Sequence, residues 1–333
     1  MSYIKHPLPV CFVLAGCLVL SGCGLCGPQI AVSVGAPALE QDALLYIAAE
    51  KNLFGRHGVA ITVRDFDTGP SAIAALMNGS VDIAETAELP FVLNVMNGQP
   101  LRILVANDRF ENDYLVVRKD RGILRPSDLR GKRIALAKGS VAEFLLSRFL
   151  TLNGLQGDQV SVVNVAPSDF IRALVDGRVD AEVAWQPFVS LLERAAPAAF
   201  RVWPVQSGQA IYGVLVCRQD WLVGHEAAVR GFLQGLADAE DFLDNHPKEG
   251  QALVSRRLKY DDAYLGAVWR QHEFSLTLDF SLVAAMEDET NWAVADHVSA
   301  GREIPDFLPF IYRDGLARVR PEGVNLMDQE GQP

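Results

Sequence analysis

Two segments of the sequence place a glycine and a serine at the start of a helical pattern. Gly69-Pro70-Ser71 precedes residues 72–78, and Gly139-Ser140 precedes residues 141–152. The first turn of a helix exposes unpaired N–H groups and carries a partial positive charge, so it attracts anions. Serine is also a good helix cap, and this purely structural role remains open for both serines. The residues with this anion-binding chemistry are Gly69, Ser71, Gly139 and Ser140.

A second group of candidates follows two short apolar strand patterns. Glu85, Thr86 and Glu88 follow one of them, and Trp185 and Gln186 follow the other. In open α/β sheets, ligands bind beyond the carboxyl ends of strands, so both segments are predicted to be loops facing one cleft. The two glutamates could accept hydrogen bonds from an amino group, or they could be solvated loop residues. Trp185 could form a flat wall or hold a cation over its ring, and a core position is the alternative.

Four further residues complete the predicted site. Pro37 and Gln41 follow the first predicted strand, and Asp108 follows the strand at 103–106. Tyr212 lies on a strand that we expect at the floor of the cleft. Helix starts that favour anions, combined with nearby carboxylates, suit a zwitterion such as an aminosulfonate.

Several other function classes are not favoured by the composition. The net charge is −11 and no basic run in the body of the chain is longer than two residues, so nucleic acid is not an expected partner. No Gly-x-Ser-x-Gly segment occurs, and Gly131-Lys132 lacks the flanking residues of a phosphate loop. We therefore expect no enzyme activity, no cofactor and no metal. Cys217 lies in an apolar strand pattern, which predicts a small core residue and no disulfide. No two histidines have metal-ligand spacing, their positions being 6, 57, 225, 246, 272 and 297.

An internal repeat at a spacing of about 98 residues organises the chain. Each copy contains a Pro-Ser helix start, an Ala-Leu pair, a glycine, a Val-Asp pair, a Pro-Phe pair and an apolar strand beginning with tyrosine. Because these matches occur in the same order in both copies, they predict two similar α/β lobes, with helices alternating with strands in each. The matched segments are 69–82 with 166–180, 89–92 with 186–189, and 114–120 with 212–220.

The lobe boundaries follow from the last pair of matched strands. Tyr114–Arg118 and Tyr212–Arg218 bracket the central third of the chain, so they are predicted to be two crossings that form a hinge. The chain of 333 residues is long enough for two domains. The prediction places lobe one at residues 30–113 plus 219–333 and lobe two at residues 114–218.

The first 23 residues have the pattern of a secretory signal peptide. Lys5 is followed by an apolar run at 10–20, which is too short to span a membrane and suits a signal sequence. Leu20-Ser21-Gly22-Cys23 resembles the bacterial lipobox, so Cys23 is the predicted lipidated residue; Cys17 is the alternative. An uncleaved anchor helix is the other interpretation of this region. Residues 24–29 are predicted to be a tether.

Six short motifs occur in a fixed order between about residues 30 and 240: Tyr46 to Phe54, Gly69-Pro70-Ser71, Leu76 to Asp82, Asp128 to Ala135, Gly139-Ser140, and Val179 to Pro187. In the order and spacing of these motifs, the chain resembles the nitrate/taurine/aliphatic-sulfonate branch of periplasmic solute-binding proteins for ABC importers. At one place the sequence departs from the family pattern: Trp185-Gln186-Pro187 stands where relatives often carry Trp-Glu-Pro or Trp-Asp-Pro.

This resemblance implies a two-lobed periplasmic-binding-protein fold, with a mostly parallel sheet flanked by helices in each lobe and two hinge strands. It also implies that the lobes close on a small polar or anionic ligand, and that the partners are a permease and its cytoplasmic ATPase. Together with the lipobox, it predicts a lipid-anchored monomer in the periplasm or on the outer face of the cytoplasmic membrane. A ligand sensor without transport, and a same-fold enzyme of pyrimidine or menaquinone biosynthesis, remain the alternatives.

Overall fold

A computed structural model describes residues 29–298 and 303–326. The predicted signal peptide, both candidate lipidation cysteines and residues 24–28 of the tether lie outside these residues. Within the part of the chain that is described, no helix combines the length and the apolar character needed to cross a membrane.

The first of two large sheets has six strands. The alternating and continuous apolar runs that favour strands are buried here, as in Val32, Val34 and Ile83. Two pairs are parallel, β1 with β2 and β1 with β3, and the remaining pairs are antiparallel. The order across the sheet is β11-β4-β10-β3-β1-β2. The strands are β1 (Ile30–Ala36), β2 (Val59–Asp65), β3 (Ile83–Ala87), β4 (Leu101–Phe110), β10 (Ile211–Arg218) and β11 (His272–Glu273).

The second sheet has five strands in the order β7-β6-β8-β5-β9. Its parallel pairs are β6 with β7 and β6 with β8, while β5 runs antiparallel to β8 and β9. Most strands of each sheet therefore run in one direction, as predicted, and the reversed strands are β10 and β11 in the first sheet and β5 in the second. The strands are β5 (Asp113–Arg118), β6 (Arg133–Leu136), β7 (Ser161–Asn164), β8 (Ala181–Trp185) and β9 (Phe200–Pro204), and a separate parallel pair joins β12 (Leu278–Asp279) to β13 (Val324–Asn325).

Helices cover the sheets and complete three buried apolar clusters. The longest helix, Glu226–Asn245, buries Phe232 and Leu236, and its Gly235 allows Phe54 to pack directly on the helix backbone. Cys217 is fully buried with a free thiol, as predicted. The helices are α1 (Ala43–Glu50), α2 (Leu53–Arg56), α3 (Gly69–Met77), α4 (Glu88–Met96), α5 (Val141–Leu152), α6 (Phe170–Val175), α7 (Phe188–Ala195), α8 (Gln219–Leu222), α9 (Glu226–Asn245), α10 (Pro247–Leu258), α11 (Asp262–Val268), α12 (Phe280–Ala295) and α13 (Arg313–Ala317).

The two matched apolar strands exchange between the sheets. β5 follows the first repeat along the chain but pairs in the second sheet, and β10 follows the second repeat but pairs in the first sheet. The second sheet's part of the chain therefore ends before β10, and not after it at residue 218 as predicted. The reason is that β10 is apolar on both faces and hydrogen-bonds to both β3 and β4 in the centre of the first sheet. The chain crosses at residues 111–112 and 205–210.

The repeat extends to individual hydrogen bonds. Asp82 Oδ2 accepts from the N–H of Ser33 at 2.8 Å, and Asp180 Oδ2 accepts from the N–H of Arg133 at 2.9 Å. In both copies the aspartate N–H also donates to the carbonyl of the same partner residue at 2.9 Å. The two aspartates thus fix the start of equivalent strands, β3 and β8, against β1 and β6.

Candidate functional site

A cavity of about 60 Å³ lies where elements of the two sheets meet. A buried water needs roughly 10–15 Å³ of such space, so the cavity can hold about four to six water-sized groups. The ends of β3, β4 and β8, the start of β5 and the starts of α3 and α5 all contribute to the wall. The lining residues are Pro37, Leu39, Gln41, Thr68, Gly69, Pro70, Thr86, Ala87, Pro90, Phe110, Asn112, Asp113, Ser140, Val141 and Trp185.

Six of the thirteen predicted ligand contacts line this cavity: Pro37, Gln41, Gly69, Thr86, Ser140 and Trp185. The other seven are Ser71, Glu85, Glu88, Asp108, Gly139, Gln186 and Tyr212, and they lie outside its lining. The structure thus brings together residues from both sheets, while a ligand contact for each of the thirteen stays a prediction.

The start of α3 reaches the cavity through Gly69 and Pro70, and Ser71 stays within the helix cap. Thr68 is the N-cap, and its Oγ1 accepts from the N–H of Ser71 at 3.2 Å. The hydroxyl of Ser71 donates to the Thr68 carbonyl at 2.7 Å. A Cβ on Gly69 would lie 2.3 Å from Thr86 Oγ1, so glycine is what lets the helix start approach β3 this closely.

The start of α5 forms another part of the wall. Ser140 is the N-cap residue and is buried, and its hydroxyl donates to the Ala137 carbonyl at 2.7 Å. Gly139 adopts φ +75°, a conformation that favours glycine, and its N–H donates to Glu143 at 3.0 Å. Val141 lines the cavity, so the positive end of a 12-residue helix lies at its surface.

Four buried polar atoms of the cavity wall have no hydrogen-bond partner in the structure. They are two donors, the hydroxyl of Thr86 and Nε1 of Trp185, and two acceptors, Oδ1 of Asn112 and Oδ1 of Asp113. Thr86 is 0% exposed and Asp113 is 3% exposed. Because buried polar groups are normally paired, four unpartnered atoms at one cavity make it the candidate ligand site.

Gln41 is oriented by a buried glutamate behind it. Its Nε2 donates to both oxygens of Glu85, at 2.8 and 2.9 Å. Burial raises the pKa of Glu85, and the nearby Asp42 raises it further. Since the amide nitrogen is occupied, the amide oxygen of Gln41 is the atom left to accept a bond in the cavity.

The predicted loop containing Glu85, Thr86 and Glu88 does not exist, because β3 ends at Ala87 and α4 begins at the next residue. Both glutamates are buried instead of solvated. Glu88 accepts from the N–H of Tyr212 at 3.1 Å, and burial raises its pKa to about 8. Tyr212 lies in β10, where it connects this carboxyl to the central strand of the first sheet.

Asp108 and Gln186 are also engaged elsewhere. His272 Nδ1 lies 2.6 Å from Asp108 Oδ2, and this buried pair joins β4 to β11. The Gln186 side-chain oxygen accepts from the hydroxyl of Ser190 at 2.8 Å. In the described ranges, no three His, Cys, Asp or Glu side chains are grouped in a way that could hold a metal ion.

Asn112 and Asp113 line the cavity and are not among the predicted contacts. Asn112 lies at the first crossing between the sheets, and Asp113 is the first residue of β5. The sequence carries a signal for them, because these two polar residues directly precede the apolar run at 114–117. The prediction instead places the crossing on the strand itself.

The family of the chain follows from comparison with known proteins. A family model described as NMT1/THI5 like matches residues 40–250. The chain belongs to this family. The taurine-binding periplasmic protein of Escherichia coli is 31% identical over 197 residues, which cover 58% of this chain and 61% of that protein. A binding protein of Brucella abortus is 25% identical over 222 residues, 66% of this chain and 68% of that protein.

Solved structures show the fold of this NMT1/THI5-like chain. The alkanesulfonate-binding protein SsuA from Xanthomonas axonopodis pv. citri, bound to MOPS, superposes with a TM-score of 0.75 at 20% identity, over 86% of this chain and 99% of that one. The desulfurization enzyme DSZB superposes with a TM-score of 0.64 at 16% identity, over 88% and 100% of the two chains. The chain has the periplasmic-binding-protein fold, which both a binding protein and an enzyme share.

Proposed function

We propose that this chain is the extracytoplasmic solute-binding component of an ABC importer, and that it holds a small sulfonate or similar anion in the cavity. One observation carries the proposal: the starts of α3 and α5 and the unpartnered Thr86 hydroxyl meet at one cavity. A helix start favours negative charge, and a buried donor without a partner favours an acceptor on the ligand. The taurine-binding relative supports the class of solute.

The two sheets and their helices form the proposed closing units. Residues 30–110, 211–298 and 303–326 belong to the unit with the first sheet, and residues 113–204 carry the second sheet. The units touch through the ion pair of Arg194 with Asp261 at 3.3 Å and the bond from Ser147 to Asp296 at 2.8 Å. A ligand that contacts both units stabilises the closed arrangement by its differential affinity for it.

The proposed partners are a membrane permease and its cytoplasmic ATPase, with the binding protein anchored through a lipid on Cys23. Binding, and not catalysis, is the proposed activity; the binding-protein names of the relatives support it. A mature protein tethered outside the cytoplasm would meet solute there and pass it to the permease.

The test is ligand-induced stabilisation of the full chain purified in detergent. The panel contains ethanesulfonate, taurine, sulfate, nitrate and bicarbonate. A ligand at 100 times its dissociation constant should add about 2.7 kcal/mol of stability. No stabilisation by any member, or steady turnover of a bound sulfonate to another product, would overturn the proposal.

A pair of isosteric variants locates the binding site. Thr86→Val keeps the side-chain shape and removes the hydroxyl donor, so it should weaken binding by about 1–3 kcal/mol. Thr62→Val makes the same change on the exposed face of β2 and should leave affinity unchanged. Equal affinity of the two variants would place the ligand elsewhere.

A further inference from the structure

Asp113 presents a buried carboxyl to the cavity without a partner. It is the first residue of β5, directly opposite Trp185 of β8 in the sheet register. Its backbone is fully engaged, since its N–H donates to Gln206 at 2.8 Å and its carbonyl accepts from Val205. Its Oδ1 has no hydrogen bond, and the side chain is one of those that line the cavity.

The protein surrounds this carboxyl with neutral or acidic groups. Burial raises the pKa of Asp113 to about 7, and no Lys, Arg or His of the described residues offsets that effect. The titratable groups on neighbouring elements are Glu88 of α4 and Tyr114 on the same strand, with Glu289 of α12 beyond Glu88. None of these three groups is basic. His272 of β11 approaches the site through Asn112, since its Nε2 lies 3.4 Å from Asn112 Nδ2, and its Nδ1 is paired with Asp108 at 2.6 Å.

Asn112 adds a second acceptor at the same place. Its Oδ1 is buried without a partner and it lines the cavity beside Asp113. The amide oxygen of Gln41 is a third acceptor, since Glu85 occupies the amide nitrogen. An ammonium group has three donors and no acceptor, so it satisfies such a cluster.

We propose that Asp113 recognises a positively charged group on the ligand, so that the cavity selects aminosulfonates over alkylsulfonates of the same size. This inference rests on the proposed function, because it assumes that the sulfonate group occupies the same cavity. The sulfonate oxygens accept from Thr86 and Trp185, and the ammonium donates to Asp113 and Asn112. Glu85 and Glu88, which the sequence suggested for this role, are bonded to Gln41 and Tyr212 instead.

Ligand binding should then release a proton near neutral pH. With the cavity empty, the carboxyl of Asp113 is largely protonated below about pH 7. An ammonium beside it favours the ionised form, so bound ligand lowers its pKa. Affinity for an aminosulfonate should therefore rise between pH 6 and pH 8, whereas affinity for an alkylsulfonate should not rise.

The experiment is titration calorimetry on the full chain in detergent with taurine and propane-1-sulfonate, which carries a methyl group where taurine has its ammonium. At pH 8 the wild type should bind taurine at least about tenfold more tightly than propane-1-sulfonate, because propane-1-sulfonate leaves the charged carboxylate without a partner. Asp113→Asn should remove most of that preference, and its affinity for propane-1-sulfonate should stay within about twofold of the wild-type value. Glu182→Gln, at a buried carboxyl of β8 outside the cavity lining, is the matched control and should keep the preference.

The outcomes separate the two proposals. Equal affinity of the wild type for both ligands, or an equal loss of both in Asp113→Asn, overturns the role of Asp113 and leaves the sulfonate site standing. If neither sulfonate binds the wild type, the proposed function fails and this inference fails with it. Should Asp113→Asn not fold, the wild type decides: proton release with taurine but not with propane-1-sulfonate, measured from enthalpies in two buffers, supports the inference, and its absence overturns it.

Discussion

Arg118 and Arg218 hold equivalent positions at the ends of the two exchanged strands. Arg118 Nη1 donates to the carbonyl of Leu174 at 2.6 Å, and Arg218 Nη1 donates to the carbonyl of Leu76 at 2.7 Å. Each guanidinium is also held by an aspartate two residues further along the chain. Each arginine thus caps the last turn of a helix, α6 or α3, where the orphan carbonyls favour positive charge.

Replacing either arginine should therefore cost a similar amount of stability. Arg118→Met and Arg218→Met keep most of the aliphatic stem but leave a helix-end carbonyl without its charged donor. We expect each to lower the free energy of unfolding by about 1–3 kcal/mol in urea titrations. Arg125→Met, at a side chain that is 78% exposed, is the control and should change it by less than about 0.5 kcal/mol. If all three variants unfold alike, the capping argument is wrong.

Glu182 makes stability depend on pH. It is the second residue of β8, is 0% exposed, and neither carboxyl oxygen has a partner. Burial raises its pKa to about 8, against 4.5 for the free side chain. The folded protein therefore holds a proton that the unfolded chain loses, so this contribution to stability is complete below about pH 4.5 and declines as pH rises towards 8.

Glu182→Gln should remove that dependence, because the amide is close in shape and carries no charge. At pH 7 the variant should be more stable than the wild type by about 3 kcal/mol, with a much smaller difference at pH 5. Urea unfolding at several pH values measures this. Glu50→Gln, on the exposed face of α1, serves as the control. Parallel stability curves for wild type and Glu182→Gln would show that the buried carboxyl does not titrate in this range.

Trp185 should contribute to binding chiefly through its ring nitrogen. Its ring packs edge-on against Phe170 at 5.4 Å and Phe188 at 5.8 Å, while Nε1 has no partner. Trp185→Phe keeps an aromatic ring and removes the donor, so sulfonate affinity should fall by about 1–2 kcal/mol in calorimetry. Trp203→Phe, on β9 against Phe149, is the control and should bind normally. If Trp185→Phe binds the sulfonate as tightly as the wild type does, the ring of Trp185 contributes an apolar wall and no hydrogen bond.

The elements with a clear local signal could be predicted from the sequence. Helix α5 occupies the predicted residues 141–152, because a Gly-Ser start precedes a regular amphipathic pattern. Strand β2 also has its predicted bounds, Val59–Asp65. The repeat was visible because both copies use the same residue types at the same turns, as with Asp82 and Asp180.

The site was harder to predict from the sequence, because hydrogen bonds between residues far apart in the chain decide which polar groups are paired. Glu85 and Glu88 look like loop carboxylates, but Gln41 and Tyr212, which are 44 and 124 residues away in sequence, engage them inside the protein. Asp113 lines the cavity and its Oδ1 has no hydrogen-bond partner, and both facts can be seen only in the folded structure. Local pattern cannot distinguish a carboxyl that is satisfied by the fold from one left for a ligand.

Gly69 should be required for the close approach of α3 to β3. In Gly69→Ala the new methyl group would lie 2.3 Å from Thr86 Oγ1 and 3.1 Å from Thr86 Cα, so the helix start must shift. We expect a loss of about 1–3 kcal/mol in unfolding free energy, the usual cost of overpacking. Sulfonate affinity should fall as well, because the shift moves the helix N-terminus away from the ligand. Gly157→Ala is the matched control, since nothing lies within 4 Å of its added methyl group.

A double substitution tests whether the clash with Thr86 is the cause. Thr86→Ala removes the atom that the new methyl group meets at 2.3 Å but keeps a Cβ at 3.0 Å, so part of the strain should be relieved. The stability cost of Gly69→Ala should therefore be smaller in the Thr86→Ala background, with a coupling of about 0.5–3 kcal/mol between the two sites. Strictly additive costs would mean that Gly69 acts through backbone conformation and not through its contact with β3.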